Sequence, residues 1–384
     1  MSNRARSSAL PARWRVAIVH DWLTGMRGGE KVLEALCELF PYASVHTLVH
    51  VPRSVSPAIE RHAPRQSALG RVPGAARLYR HLLPLFPLAV EQFDLDEADL
   101  VISTSHCAAK SAVAPGRARH LCYCFTPMRY AWDQFDAYFG WERLGPLTLM
   151  MRPVLGGLAR WDRSTSGRPD RYVAISQYVA ARIQRYYNRR SAVIPPPVDT
   201  EFFVPTGREP DPYALVVSAL VPYKRIELAI EACRRLGVPL KIAGDGPELS
   251  HLQQVAAGAR EVEFLGRVSD DGVRELYGSA RAVLLPGEED FGLVPVEAQA
   301  CGRPVVALGR GGALETVVDG ETGVLVDEPT ADALIEGLRR ADTIAWDAER
   351  IRSHALRFSK TRFIEAMSGE IEAIMNAPDG HQRW

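Results

Sequence analysis

The sequence predicts an α/β protein built of two doubly wound, Rossmann-like domains in tandem, facing a central cleft. Three observations predict it. Short apolar runs without polar alternation, such as Val16-Ala17-Ile18-Val19, have the pattern of strands buried on both faces of a parallel sheet. These runs alternate with stretches of helical period, which implies parallel sheets with right-handed crossovers. A proline-rich connection, from Pro195-Pro196-Pro197 to Pro212, separates one such series from another. At 384 residues the chain is long enough for each half to bury its own core. The expected domains are residues 1–197 and 198–358. Residues 359–384 would add a last helix that packs back across the boundary.

The elements follow in order. Val16 to His20 is the first strand, and Asp21 to Glu30 a glycine-bearing loop that feeds an amphipathic helix ending at Phe40, before Pro41. Leu100–Ser105, His120–Cys124 and Arg171–Ile175 are further strands that run into polar loops. After the connection come a strand at Tyr213–Ser218, a helix at Ile226–Leu236 and a strand at Leu240–Gly244 with a Gly244-Asp245-Gly246-Pro247 turn. Strands at Val262–Gly266 and Ala282–Leu285 continue the second sheet, Val305–Ala307 follows, and a final helix covers about Lys360 to Ala377.

Composition excludes several classes. Forty-six basic and 46 acidic residues cancel, which argues against a nucleic-acid partner bound through overall charge. The six cysteines are scattered and form no Cys-x-x-Cys pair, so neither a disulfide framework nor a zinc site is expected, and a reducing compartment fits best. Arg4, Arg6, Arg13 and Arg15 enclose no apolar run, so the N-terminus does not read as a secretory signal. No stretch reaches the roughly 18 apolar residues of a spanning helix. Asp94-x-Asp96 matches an Asp-x-Asp metal pair but precedes a strand, and reads as a surface turn.

The most informative segment is Pro286 to Glu297. It leaves a buried strand, carries Glu289 early, Gly292 in its middle, and Glu297 inside the helix that begins near Pro295. Backbone N–H groups at a helix start favour phosphate, and carboxylates accept hydrogen bonds from vicinal hydroxyls. Phosphate with hydroxyls on either side describes a nucleotide sugar. Two solvated surface glutamates are the alternative, and the surrounding Asp-Phe-Gly-Leu and flanking strands favour the site.

These motifs, with Val217 to Arg225, Gly244 to Pro247 and Gly311-Gly312-Ala313-Leu314-Glu315-Thr316-Val317, resemble the retaining glycosyltransferases of family 4, whose fold is GT-B. The resemblance runs from Val16 to about Phe363. The stretch Tyr123 to Asp133 looks like the subgroup that transfers mannose or a related sugar in bacterial surface-polysaccharide assembly.

The resemblance implies roles. Glu297 would hold the donor ribose, and Glu289 the hydroxyls of the transferred sugar, near the amides of Phe291, Gly292 and Leu293. Lys224, helped by Arg225, would neutralise the departing diphosphate, while Gly266-Arg267-Val268 would border the base. Gly28 and Gly29 would let the first loop approach the diphosphate, a plain tight turn being the alternative. Arg129 and Asp133 would meet the acceptor. Breaking the anomeric bond puts negative charge on the diphosphate, which fixed cations in a water-poor site stabilise. The family retains anomeric configuration and generally needs no metal, so no cofactor is expected beside the nucleotide-sugar substrate, GDP-mannose or a UDP-sugar. The acceptor would be a saccharide or a polyprenyl-diphosphate-linked saccharide, at the cytoplasmic face of the membrane.

Two positions depart from the family. An arginine after the strand preceding the lysine loop is Ala219 here, and a histidine is replaced by Phe125. His106, at another strand end, could serve the sugar or acceptor instead, or simply cap the next helix. Residues 51–90 hold six arginines against Glu60 and end in an apolar run, and Trp141 to Trp161 is a second arginine-framed apolar segment. Both suit a membrane interface or a buried helix pair. A GT-B-like epimerase and an inactive scaffold of a polysaccharide complex remain alternatives. A dehydrogenase does not fit, because Gly25-x-x-Gly28-Gly29 lacks the Gly-x-Gly-x-x-Gly spacing.

Overall fold

The computed structural model describes residues 14–132 and 147–378. The chain divides into two compact units, residues 1–197 with 361–384, and residues 198–360.

The first unit is built on seven strands. They are β1 (Val16–His20), β2 (Ser44–Thr47), β3 (Arg65–Gln66), β4 (Leu100–Ser105), β5 (Arg119–Cys124), β6 (Arg171–Ala174) and β7 (Ser191–Val193). All are parallel, in the order β3-β2-β1-β4-β5-β6-β7. Every residue of β1 and β4 is buried, which is why neither alternates polar with apolar. Strand order reverses at β1 and β4, whose register runs from Val16–Leu100 to His20–Thr104.

The first helix runs Gly28–Leu39. It starts earlier than the sequence reading placed it, so Gly28 and Gly29 are its opening residues and not part of the loop. The reason is Glu30, whose carboxylate accepts the Arg27 amide at 3.0 Å and closes the first turn. The helix Lys360–Met375 belongs to the first unit from Thr361 onward. There Phe363 packs edge-on against Tyr123 at 5.7 Å, and Arg171 pairs with Glu370 at 3.2 Å.

Under the sheet lies a buried ion pair. Lys110 donates to the Asp162 carbonyl (2.7 Å) and lies 3.0 Å from its carboxylate, which also accepts from Trp132 Nε1 and Tyr187 OH at 2.7 Å each. Both charged side chains are essentially without exposure, so the pair stands only because its partners are all present. The helix Leu147–Ser164 contributes Leu155 and Leu158 to this core, with Met151 and Trp161 packed against it. The described part of the second apolar segment buries Leu155 and Leu158 in this core and leaves Arg152, Val154 and Arg160 exposed. Its earlier residues, from Trp141, lie outside the described side chains.

The second unit has six parallel strands: β8 (Ala214–Val217), β9 (Leu240–Ala243), β10 (Val262–Gly266), β11 (Ala282–Leu285), β12 (Val305–Leu308) and β13 (Gly323–Val326). Their order, β10-β9-β8-β11-β12-β13, is the doubly wound arrangement with its reversal between β8 and β11. The helix Ile226–Leu236 buries Ile226, Ala229, Ile230 and Cys233 and stops at Gly237.

All six cysteines are free and buried, and burial pushes the Cys37 and Cys301 thiols up to about 12. Asp94 accepts the Asp96 amide at 3.3 Å in the expected surface turn. Among the described residues no helix is long and apolar enough to cross a membrane.

Candidate functional site

In an open parallel sheet, the crevice for a ligand opens where strand order reverses, beyond the carboxyl ends of the strands. In the second unit that place is well marked. β8 and β11 pair through only Ala214–Ala282 and Leu215–Val283, whereas β8 and β9 pair over four residues. The loop after β8 ends in a short turn, Pro222–Lys224, and the loop after β11 runs from Pro286 to Gly292.

Glycine brings these loops into contact. A Cβ on Gly287 would fall 2.5 Å from the Tyr223 carbonyl oxygen and 2.7 Å from Lys224 Cα, so only glycine fits there. The Lys224 ammonium meets the Glu289 carboxylate directly as an ion pair. Their side chains are 16% and 17% exposed, which leaves them reachable yet largely out of water. The main chain of Glu289 is held from the other side. Its carbonyl accepts the Gly312 amide at 2.8 Å, and Gly311, at φ 59°, lies against the same backbone.

Phe291 is buried, edge-on to Phe358 at 5.5 Å, and Gly292, at φ 90°, opens the helix Leu293–Ala300. That helix has no side-chain cap. The helices entered from β10 and β13 are capped by Ser269 and Thr330, which accept the amides of Gly272 and Ala333. Glu297 stands in the second turn of the uncapped helix, where Tyr277 OH donates to its Oε2 at 3.0 Å.

Arg225 is exposed and left-handed at φ 52°, a conformation costing a non-glycine residue about 1 kcal/mol or more. Ala219 is exposed at the end of β8. Gly266, Arg267 and Val268 leave β10, separated from β8 by β9, with Arg267 exposed.

The first unit gathers a different set at its own reversal point. His106, just past β4, packs edge-on to Trp22 at 4.3 Å, with its ring 6.2 Å from Phe125 and 6.3 Å from His20. Its Nδ1 lies 3.2 Å from Asp21 Oδ2. Asp21 is fully buried and accepts four consecutive backbone amides, those of His106, Cys107, Ala108 and Ala109, at 2.6–2.9 Å. Burial pulls the His106 imidazole below its ordinary pKa, against the opposing pull of Asp21.

His20 Nδ1 lies 2.7 Å from Thr104 Oγ1, and its Nε2 faces Glu30 at 3.9 Å. Burial alone would raise the Glu30 carboxyl, but the His20 contact and charge bring it below the usual range. Gly29 gives room to this cluster, since a Cβ there would touch the Phe125 ring at 3.4 Å and His20 at 3.6 Å. Arg129 starts the short helix after β5, close enough for its charge to lower the His106 pKa. Asp133 lies outside the described residues.

Lys224, Glu289, Arg225, Phe291, Gly292, Leu293 and Glu297 thus belong to two adjoining loops of one unit and the helix that follows the second. His106, Gly28, Gly29 and Arg129 belong to the other. Sequence reading missed Asp21, Glu30 and Tyr277. Asp21 carried a signal, an acid directly after the strand Val16–His20, whose first four residues are apolar, whereas Tyr277 sits unmarked in an amphipathic helix.

Known proteins are similar to this chain in sequence and in fold. Residues 26–202 match the family model described as Glycosyltransferase Family 4, and residues 198–355 match that of Glycosyl transferases group 1. D-inositol 3-phosphate glycosyltransferase of Geodermatophilus obscurus is 33% identical over 235 residues, 52% of this chain and 51% of its own. GDP-mannose-dependent alpha-(1-6)-phosphatidylinositol monomannoside mannosyltransferase of Mycolicibacterium smegmatis is 33% identical over 189 residues, 42% of this chain and 50% of its own. The chain spans about half the length of the curated relatives it matches.

Among solved structures, sucrose-phosphate synthase from Thermosynechococcus elongatus superposes with a TM-score of 0.70 at 18% identity, over 95% of this chain and 100% of the other. Anabaena HepE in complex with UDP and glucose gives 0.67 at 19% identity, over 94% and 100%. The fold of this chain is accordingly GT-B, with two Rossmann-like domains that resemble glycosyltransferases of family 4 and group 1.

Proposed function

We propose that the chain is a retaining, metal-independent glycosyltransferase that moves a hexose from a nucleotide sugar to a saccharide or lipid-linked saccharide. GDP-mannose is the first candidate donor and UDP-sugars the second. The observation that carries the reading is the Lys224–Glu289 contact at the reversal point of the second sheet, followed by an uncapped helix bearing Glu297. A dinucleotide-like anion suits that end of the sheet. Lys224 and Arg225 would offset the charge that grows on the diphosphate as the anomeric bond ionises. Glu289 would hold sugar hydroxyls while keeping the lysine in place. Relatives named for GDP-mannose and a neighbour solved with UDP support a nucleotide-sugar donor, and differ over its base.

His106 would meet the transferred sugar or the acceptor, with Arg129 beside it. Peripheral membrane contact at the cytoplasmic face is part of the same reading. It is supported by exposed Val72, Leu78, Leu85 and Leu88 among exposed Arg71 and Arg77.

A thermal-shift panel with GDP-, UDP- and ADP-sugars tests the donor, because a ligand of the folded form raises the midpoint with occupancy. One nucleotide should stand out, and its sugar should move only when an acceptor is present. Conversion of the nucleotide sugar alone would mean an epimerase, and no response to any donor would mean an inactive scaffold. Sedimentation with anionic liposomes tests the membrane contact, and a protein left wholly in the supernatant overturns it.

A further inference from the structure

We infer that Tyr277 is a positioning residue that sets the rotamer of Glu297 and, through it, the protein's preference for a ribose over a deoxyribose. The inference rests on the proposed role of Glu297 at the donor ribose. Tyr277 is completely buried, and its hydroxyl donates to Glu297 Oε2 at 3.0 Å. Burial and the neighbouring Glu297 charge push the phenol well above its ordinary pKa, so it keeps its proton and remains a donor. A glutamate has three side-chain torsions, and one fixed donor removes most of that freedom. A carboxylate that accepts one hydrogen bond still has acceptor capacity for a vicinal diol.

The main chain on either side of Tyr277 is itself held in place along its helix, Asp270–Ser279. On one side, the Leu276 carbonyl accepts Tyr213 OH at 2.9 Å. On the other, the Gly278 carbonyl accepts Arg303 Nε at 3.0 Å and Thr206 Oγ1 at 3.2 Å. The Tyr277 ring packs edge-on to Phe203 at 5.8 Å. A side chain so constrained, ending on one functional carboxylate, is what orienting a binding group requires.

The test is Tyr277→Phe, which keeps the ring and removes only the hydroxyl. Calorimetric titrations would use GDP, UDP and their 2′-deoxy counterparts, with stoichiometry reporting the folded fraction. The wild type should prefer the ribonucleotide. Tyr277→Phe should reduce that preference about tenfold, the size expected when a hydrogen bond to a charged group is lost. Affinity for the deoxynucleotide should barely change, and the sugar-transfer kcat should fall less than KM rises. An unchanged ribose preference in Tyr277→Phe, with the preference lost in Glu297→Ala, would overturn the inference and leave the donor site standing. A preference that survives Glu297→Ala would instead overturn the ribose assignment on which the inference rests.

Discussion

The two sheets share one strand order up to the sixth strand, yet their reversal points are finished in opposite ways. In the first unit the turn after β4 presents four amides, and Asp21 of the same unit already occupies all of them. In the second unit the helix after β11 starts at a glycine with no capping side chain, beside a largely buried cation–carboxylate contact. The same topology therefore yields a self-satisfied corner in one unit and, in the other, the corner proposed to take the donor diphosphate. One difference is an acid placed directly after β1, where β8 is followed by Ser218 and Ala219.

The comparison breaks most visibly at Asp21. Asp21→Ala should strand three buried amides and one partly buried one and cost about 3 kcal/mol or more in urea unfolding, with nucleotide affinity of the folded fraction unchanged. Loss of nucleotide binding in folded protein would mean that the first corner also holds phosphate. Lys224→Ala should do the reverse. Transfer should fall on the order of a hundredfold, as when one fixed group facing a developing anion is removed, while the melting temperature stays near wild type.

A third prediction concerns pH and lies in the first unit alone. His46 is buried and held down to about 4, chiefly by burial and then by Arg65. Its folded pKa is below the unfolded value near 6.5, so its contribution is complete above that value and is lost as pH falls toward 4. The loss amounts to roughly 3 kcal/mol at most. Unfolding curves at pH 7.5 and 4.5 should show it, and His46→Gln should flatten the decline. The smallest effect belongs to His106→Ala, which should lower kcat about tenfold without altering stability or nucleotide affinity. A change in affinity with kcat intact would move His106 out of the reaction.

Much of this was legible in the sequence, because parallel strands buried on both faces leave continuous apolar runs. β4, β11 and the helix Ile226–Leu236 fall where the pattern placed them, as does the partly exposed β10. The short edge strands β3 and β7 were not legible, since strands of two or three partly exposed residues leave no periodic signal. Among site residues, Lys224 and Glu289 could be named from their motifs, but their direct contact depends on Gly287, whose role is visible only in three dimensions. The start of the first helix was misplaced because Glu30 reaches back to the Arg27 amide, a cap made by a side chain three residues on. Asp21 and Tyr277 act through partners 85 and 20 residues away, and no local pattern reports such pairs.

Calorimetric titration of GDP and UDP into the full chain and its Lys224→Ala variant tests the central claim most directly. One of the two should bind wild type at a single site and bind the variant about tenfold or more weakly, at equal melting temperature. Equal affinity in both proteins would contradict the placement of the diphosphate at the β8–β11 corner.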